Sequence, residues 1–182
     1  MAELTAVQPE IVTERLRLRQ LRPRDAGLIA LYASDPRVAW ATATIPHPYP
    51  PAAAERFVER ALSAAAPERV WALDTGADGE NGLVGTIALK PLGPGVAEIG
   101  YWVAPAFWNT GYASEAVEGL IGRAAGLGIA EFVAEVFQDN PASSRVLMHA
   151  GFDYVGEGEI FSLARGAMVP TFRYRRAAGG AA

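Results

Sequence analysis

The sequence predicts one mixed α/β (α+β) domain, with strands and helices interspersed along 182 residues. Three observations carry this expectation. Short stretches alternate or run apolar at strand length. Four longer stretches repeat apolar residues at helical spacing. Gly- and Pro-rich punctuation separates the two kinds, with no internal repeat and no interdomain linker. A chain of this length, 51% hydrophobic and 20% charged, can bury a sizeable core and is not of disordered composition.

Composition also excludes several functions. A formal charge of −4 lacks the clustered basic excess of nucleic-acid binding. With no cysteine there is no disulfide, thiolate metal site or cysteine nucleophile, and two distant histidines make no zinc site. No apolar run approaches the roughly 20 residues of a membrane span, and Met1–Ala6 has no secretion-signal pattern. A cytoplasmic protein without metal is expected.

Residues 1–10 read as a loose lead-in. In Thr13-Glu-Arg-Leu-Arg-Leu-Arg19, strict alternation sets Leu16 and Leu18 inward and Arg15, Arg17 and Arg19 onto a solvated outer face. Pro23 and Asp25 begin a helix with Leu28, Ile29, Leu31 and Tyr32 as its apolar face, and Ser34-Asp-Pro36 ends it. Four prolines (46, 48, 50 and 51) stiffen the following loop, which carries Trp40, His47 and Tyr49. That loop lines a substrate pocket or simply covers the core. Pro51 opens a second helix with Ala54, Phe57, Val58, Ala61 and Leu62 on one stripe.

Val70–Leu73, Leu83–Leu89 and Ala97–Val103 then form a three-strand meander, turning at 78–82 and 91–95. Ala113, Ala116, Val117, Leu120, Ile121 and Ala124 mark a third helix, stopped at Gly126 or Gly128. Glu131–Phe137 is a strand. Asn140 caps a fourth helix, with Pro141 at its first position and Gly151 at its stop. Two strands over 152–163 and 169–175 precede a frayed tail at 177–182.

The stretch Phe107-Trp-Asn-Thr-Gly-Tyr-Ala-Ser-Glu-Ala116 organises the rest. A strand leads in, the third helix leads out, and Gly111 with its small or uncharged neighbours leaves the helix-start amides open. Such amides and the helix dipole attract an anion without a basic side chain, so a phosphate-bearing cofactor is expected there.

The element order and these motifs resemble the GCN5-related N-acetyltransferase (GNAT) superfamily over residues 11–176. Trp108, Gly111 and Ala113 fall at the three fixed places of its cofactor motif. Thr13–Arg19, Glu98-Ile-Gly-Tyr-Trp102, Asn140-Pro-Ala-Ser143 and Val146–Phe152 are similar to the branch containing ribosomal-protein N-terminal alanine acetyltransferases. The resemblance implies a mostly antiparallel sheet of about seven strands, helices on both faces, and a cleft where the fourth and fifth strands splay. It implies acetyl-CoA as co-substrate and an amine-bearing acceptor, either a protein N-terminus or a small molecule. A homodimer is common in the fold, with Phe172 and Tyr174 as exposed apolar edges to serve it. Pantetheine would bond the backbone of Tyr101, Trp102 and Val103. The pyrophosphate would sit on the amides of Trp108, Asn109, Thr110, Gly111, Tyr112 and Ala113, with Ser114 adding a hydroxyl. Asn109-Thr110 departs from the pattern, because many relatives carry a Lys or Arg in this pair.

Acetyl transfer needs a neutral amine, a polarised thioester and a proton for the thiolate. Glu98 shares a strand face with Gly100 and Trp102, and burial near Trp102 would raise its pKa; it is a general base or a residue that shapes the site. Where many GNAT enzymes carry a tyrosine acid this chain has Leu147, which cannot donate. By resemblance Ser143 is the remaining acid candidate, or it satisfies helix-end amides. Asn140 caps its helix, contacts cofactor or acceptor, or does both. Ser143 and His149 lie on different faces of one helix, which excludes a serine-hydrolase triad. The expected activity is direct acetyl transfer to a primary amine in a ternary complex; the alternative is a non-catalytic acyl-CoA-binding module.

Overall fold

Strand β3 (Arg69–Asp74) divides the molecule into two cores. Its pleat sends Val70 and Ala72 to one side of the sheet and Trp71 and Leu73 to the other. The first side lies beneath α1 (Ala26–Ala33) and α3 (Ala53–Leu62), through Ile29, Ala54 and Val58. The second packs against α4 (Tyr112–Ile121) and α5 (Pro141–His149), through Val117, Leu120 and Leu147. A fifth, short helix is α2 (Pro36–Trp40). The structure, a computed structural model, describes residues 8–76 and 82–179.

The remaining strands are β1 (Ile11–Val12), β2 (Arg17–Gln20), β4 (Leu83–Gly93), β5 (Val96–Val103), β6 (Glu131–Phe137), β7 (Asp153–Ser162) and β8 (Ala167–Ala177). They form one sheet in the order β1-β2-β3-β4-β5-β6-β8-β7, antiparallel except for β5 with β6. This is the mixed, mostly antiparallel sheet with helices on both faces that the sequence led us to expect. It has eight strands rather than about seven because Ile11–Val12, ahead of the expected Thr13–Arg19 strand, pairs antiparallel with Arg17–Leu18, and only 17–20 of that region is a strand. Thr13 N–H donates to the Leu16 carbonyl at 2.9 Å and Leu16 N–H donates back to Thr13 Oγ1 at 3.1 Å, and that turn separates β1 from β2.

The parallel pair sets the site. β5 and β6 are in register only at Val96–Glu131, Ala97–Phe132 and Glu98–Val133. Beyond Glu98, β5 stays with β4 as far as Val103, while β6 stays with β8 as far as Phe137. The sheet therefore opens like a V between them.

Several local expectations are corrected. Arg19 is not on a solvated face. It is 2% exposed, and its guanidinium donates to Asp74 at 2.5 Å and to Asp25 at 2.8 and 3.0 Å. Burial, the largest influence, lowers its pKa, but hydrogen bonds and charge from both carboxylates more than offset this and raise it. The first helix does end near Asp35, yet Asp35 caps α2 by accepting from Arg37 N–H. α4 stops at Ile121, before Gly126 and Gly128. Residues 8–10 are tied down rather than loose: Gln8 donates to the Val70 carbonyl, and Trp71 Nε1 to that of Pro9 at 2.8 Å. At the other end β8 runs to Ala177, and Ala178 N–H bonds the Ala130 carbonyl. The turn at 78–82 lies outside the described residues except for Gly82, whose carbonyl accepts from Thr75 N–H at 3.0 Å. Tyr174 is no exposed edge; it is buried in the core, and Phe172 is half-buried against it.

Candidate active site

A cavity of about 570 Å³ fills the V between β5 and β6 and continues to α3 and the loop at 41–50. Glu98, Tyr101, Trp102, Asn140 and Ser143 all line it, so five residues singled out from distant stretches of sequence converge on one space.

The motif stretch stands at the C-terminal end of β5. Asn109 and Gly111 take positive φ angles of 60° and 85°, turning the chain sharply into α4. Glu115 N–H is the first to close onto the helix, reaching the Gly111 carbonyl at 3.0 Å. The amides of Tyr112, Ala113 and Ser114 therefore have no intrahelical acceptor and are aimed outward. Trp108 differs from its neighbours: its N–H is taken by the Pro105 carbonyl. The Thr110 hydroxyl is also engaged, donating to the Phe107 carbonyl at 2.6 Å.

The motif has no cation in sequence, but one arrives in space. Arg15, about a hundred residues away, donates through Nη1 to the Thr110 carbonyl at 2.8 Å and through Nε to Glu115 at 2.7 Å. Its Nη2 lies 3.2 Å from where a Cβ on Gly111 would be. Glu115 in turn accepts from Thr13 Oγ1 and Arg15 N–H, both at 2.6 Å, so it is a hydrogen-bonding residue that fastens α4 to the β1–β2 turn. No local signal in the sequence joins Arg15 to Gly111.

The three backbone positions expected to meet pantetheine are not equivalent. The Trp102 carbonyl abuts Gly85 on the β4 side. By strand alternation the polar groups of Tyr101 and Val103 then face the opened side. The Val103 carbonyl is already bonded to the Trp108 indole N–H at 2.7 Å. Tyr101 is the backbone position with both groups left for the cleft.

Glu98 occupies the last residue pair before the strands part. Its side chain is only partly buried, at 31% exposure, and its carboxylate lies 3.8 Å from Lys90 Nζ. Across the cavity, Asn140 caps α5 by accepting from Ser143 N–H at 3.3 Å, and its Nδ2 donates to Ser143 Oγ at 3.2 Å. That contact occupies an acceptor lone pair and leaves the serine proton available to another group. The Tyr101 hydroxyl donates to the Ser143 carbonyl at 3.1 Å, and burial, its largest influence, pushes its pKa well up. Leu147 is fully buried beneath them.

The loop at 41–50 forms the far wall and is clamped by Arg165, in the β7–β8 turn. Arg165 donates to the Trp40 carbonyl at 2.6 and 3.0 Å and grips Asp139 with two bonds of 2.6 and 3.0 Å. The guanidinium also lies over the rings of Phe137 and Trp40. Leu163 N–H adds a bond to the Ala43 carbonyl at 2.9 Å. The Pro-rich loop thus lines the cavity, and its Tyr49 also packs against the core beneath α1 and α3, so it does both things its sequence left open as alternatives. Arg165 itself gave no sequence signal.

Comparison with known proteins agrees with this geometry. A family model described as an acetyltransferase (GNAT) domain matches residues 15–153. The chain is 39% identical over 77 residues to YoaA, an uncharacterized N-acetyltransferase of Bacillus subtilis (strain 168); the match covers 41% of this chain and 44% of that relative's length. A GNAT-family acetyltransferase structure from Bacillus anthracis superposes with a TM-score of 0.80 at 24% identity, covering 94% of this chain and all of that one (100%). RimL, a ribosomal L7/L12 alpha-N-protein acetyltransferase in complex with coenzyme A, superposes with a TM-score of 0.80 at 18% identity, covering 93% and 98%. The chain belongs to the GNAT acetyltransferase domain family and has the fold of its solved members.

Proposed function

We propose that this protein transfers the acetyl group of acetyl-CoA to a primary amine by direct attack within a ternary complex. The observation that carries this reading is Glu98 and Ser143 lining one cavity from opposite sides of the splayed β5–β6 gap. In this reading the cofactor's pyrophosphate rests on the Gly111–Ser114 amides, with the Asn109 and Thr110 backbone shaping the turn and Arg15 beside it as the cation. Its pantetheine arm follows the free backbone groups of Tyr101 into the gap.

The chemistry then follows from the residues. The acceptor arrives as an ammonium, and Glu98, directly or through a water, takes a proton to free its lone pair. The nitrogen bonds the thioester carbon and releases its second proton to solvent water, and the carbon–sulfur bond breaks with its electrons leaving on sulfur. Ser143 Oγ–H, freed by the Asn140 contact, donates a hydrogen bond to that thiolate, which takes its proton from solvent through the hydroxyl. Lys90 stands directly opposite Glu98 on β4, 3.8 Å from its carboxylate.

Purified protein mixed with acetyl-CoA and a panel of amines, with free thiol followed over time, tests this. Glu98→Gln is expected to lower kcat about 100-fold or more, and Ser143→Ala about tenfold, with little change in the KM for acetyl-CoA. Tight acetyl-CoA binding with no turnover, unaltered by Glu98→Gln, would support a non-catalytic acyl-CoA-binding module instead.

A further inference from the structure

We propose, resting on that acetyltransferase reading, that the acceptor carries an anionic group, a carboxylate or phosphate, beyond its amine, and that Arg56 and Arg60 of α3 bind it. The cavity walls divide by charge. The sheet wall holds Glu98 and Glu135, and the helix wall holds Arg56 and Arg60. On the sheet side each carboxylate has a cation: Glu98 has Lys90 at 3.8 Å, and Glu135 has Arg173 at 3.4 Å, with a further bond from the Thr171 hydroxyl at 2.5 Å. On the helix side, neither arginine pairs with a carboxylate among the described residues. They stand four residues apart, one above the other on a single helix face.

Tyr49 fixes where their charge acts. Burial is the main cause raising the pKa of this cavity residue, helped by Glu55, while Arg56 and Arg60 pull it down. Their field therefore reaches the Pro-rich wall of the cavity. Counting Lys90 and Glu68, the lining has three cations and three carboxylates. A polyamine, positive at every nitrogen, would need an excess of carboxylates and would meet two uncompensated guanidiniums instead. An amphoteric acceptor fits both ends, with its ammonium toward Glu98 and its anion on the arginines, which suit planar or tetrahedral oxyanions.

Four acceptors with a free amine test this, with thiol release as the readout: seryl-aspartate, seryl-phosphoserine amide, seryl-asparagine amide and spermidine. At low salt, kcat/KM should be at least tenfold higher for one of the two anionic peptides than for the neutral peptide, and lowest for spermidine. Which anionic peptide leads identifies carboxylate or phosphate. The Arg56→Gln/Arg60→Gln double variant should bring that ratio close to one through acceptor KM, without raising the KM for acetyl-CoA, and Arg60→Lys should restore part of it. Equal use of neutral and anionic peptides, a preference for spermidine, or a ratio unaltered in the double variant overturns the inference and leaves the acetyltransferase reading standing. No thiol release with any of the four overturns both.

Discussion

Replacing Asp25 with alanine tests the most deeply buried charge arrangement among the described residues. Asp25 is fully buried and accepts from Arg19 Nη1 and Nη2 and from Arg22 N–H, at 2.8, 3.0 and 2.7 Å. Its removal leaves a guanidinium whose side chain is 3% exposed with one remaining carboxylate, Asp74, and orphans a backbone donor. Breaking a buried ion pair from one side costs about 3–5 kcal/mol, because the stranded charge keeps its desolvation penalty. For a domain of this size that corresponds to a fall in Tm of roughly 6–20 °C. Urea unfolding followed by tryptophan fluorescence measures it, since Trp71 is wholly buried on the neighbouring strand. Removing both charges with Arg19→Met/Asp25→Leu should recover much of the loss, as apolar replacements of buried pairs often do. A loss below about 1 kcal/mol for Asp25→Ala would refute the reasoning, because it would mean that Arg19 reaches solvent or another partner once Asp25 is gone.

Other perturbations probe the site's supports. Arg165→Ala should free the loop at 41–50 and raise the acceptor KM by about fivefold with little change for acetyl-CoA; the effect is modest because the Asp139 side chain is 60% exposed and its ion pair is screened. Steady-state kinetics varying each substrate separately would show the split. Gly111→Ala meets a φ of 85° and the Arg15 guanidinium 3.2 Å away, so it should cost about 1–2 kcal/mol in stability and weaken acetyl-CoA binding, read by calorimetry. Glu115 links α4 to the β1–β2 turn in a pH-dependent way. Burial, the largest influence, pushes its pKa up, but the Thr13 hydroxyl, the Arg15 N–H and the Arg15 guanidinium together bring it below the ordinary value. A depressed carboxylate contributes stability that is present above its unfolded pKa, about 4.3, and is lost as pH falls through the folded one. Wild type should therefore lose stability below about pH 4 more steeply than Glu115→Gln, in denaturation curves taken across that range.

The sequence by itself determined the elements whose cause is local. β3, β5, β6 and α5 lie within a residue of where the apolar runs, Asn140, Pro141 and Gly151 imply, because strand-forming side chains, capping and left-handed glycine act within a few residues. The open amides after Gly111 were legible for the same reason. Tertiary structure alone decided which charges lie inside. Alternation assigns Arg15, Arg17 and Arg19 one outward face, yet Arg19 is sealed between Asp25 and Asp74 while Arg15 lies beside Gly111. The Glu98 environment also depended on its register against Lys90, not on its closeness in sequence to Trp102. Arg165 came to hold the loop that walls the cavity only because the β7–β8 turn folds back onto Trp40, 125 residues earlier. Local stereochemistry is set by neighbours along the chain, whereas the partner of a long, flexible charged side chain is set by which distant elements the sheet order brings within its reach.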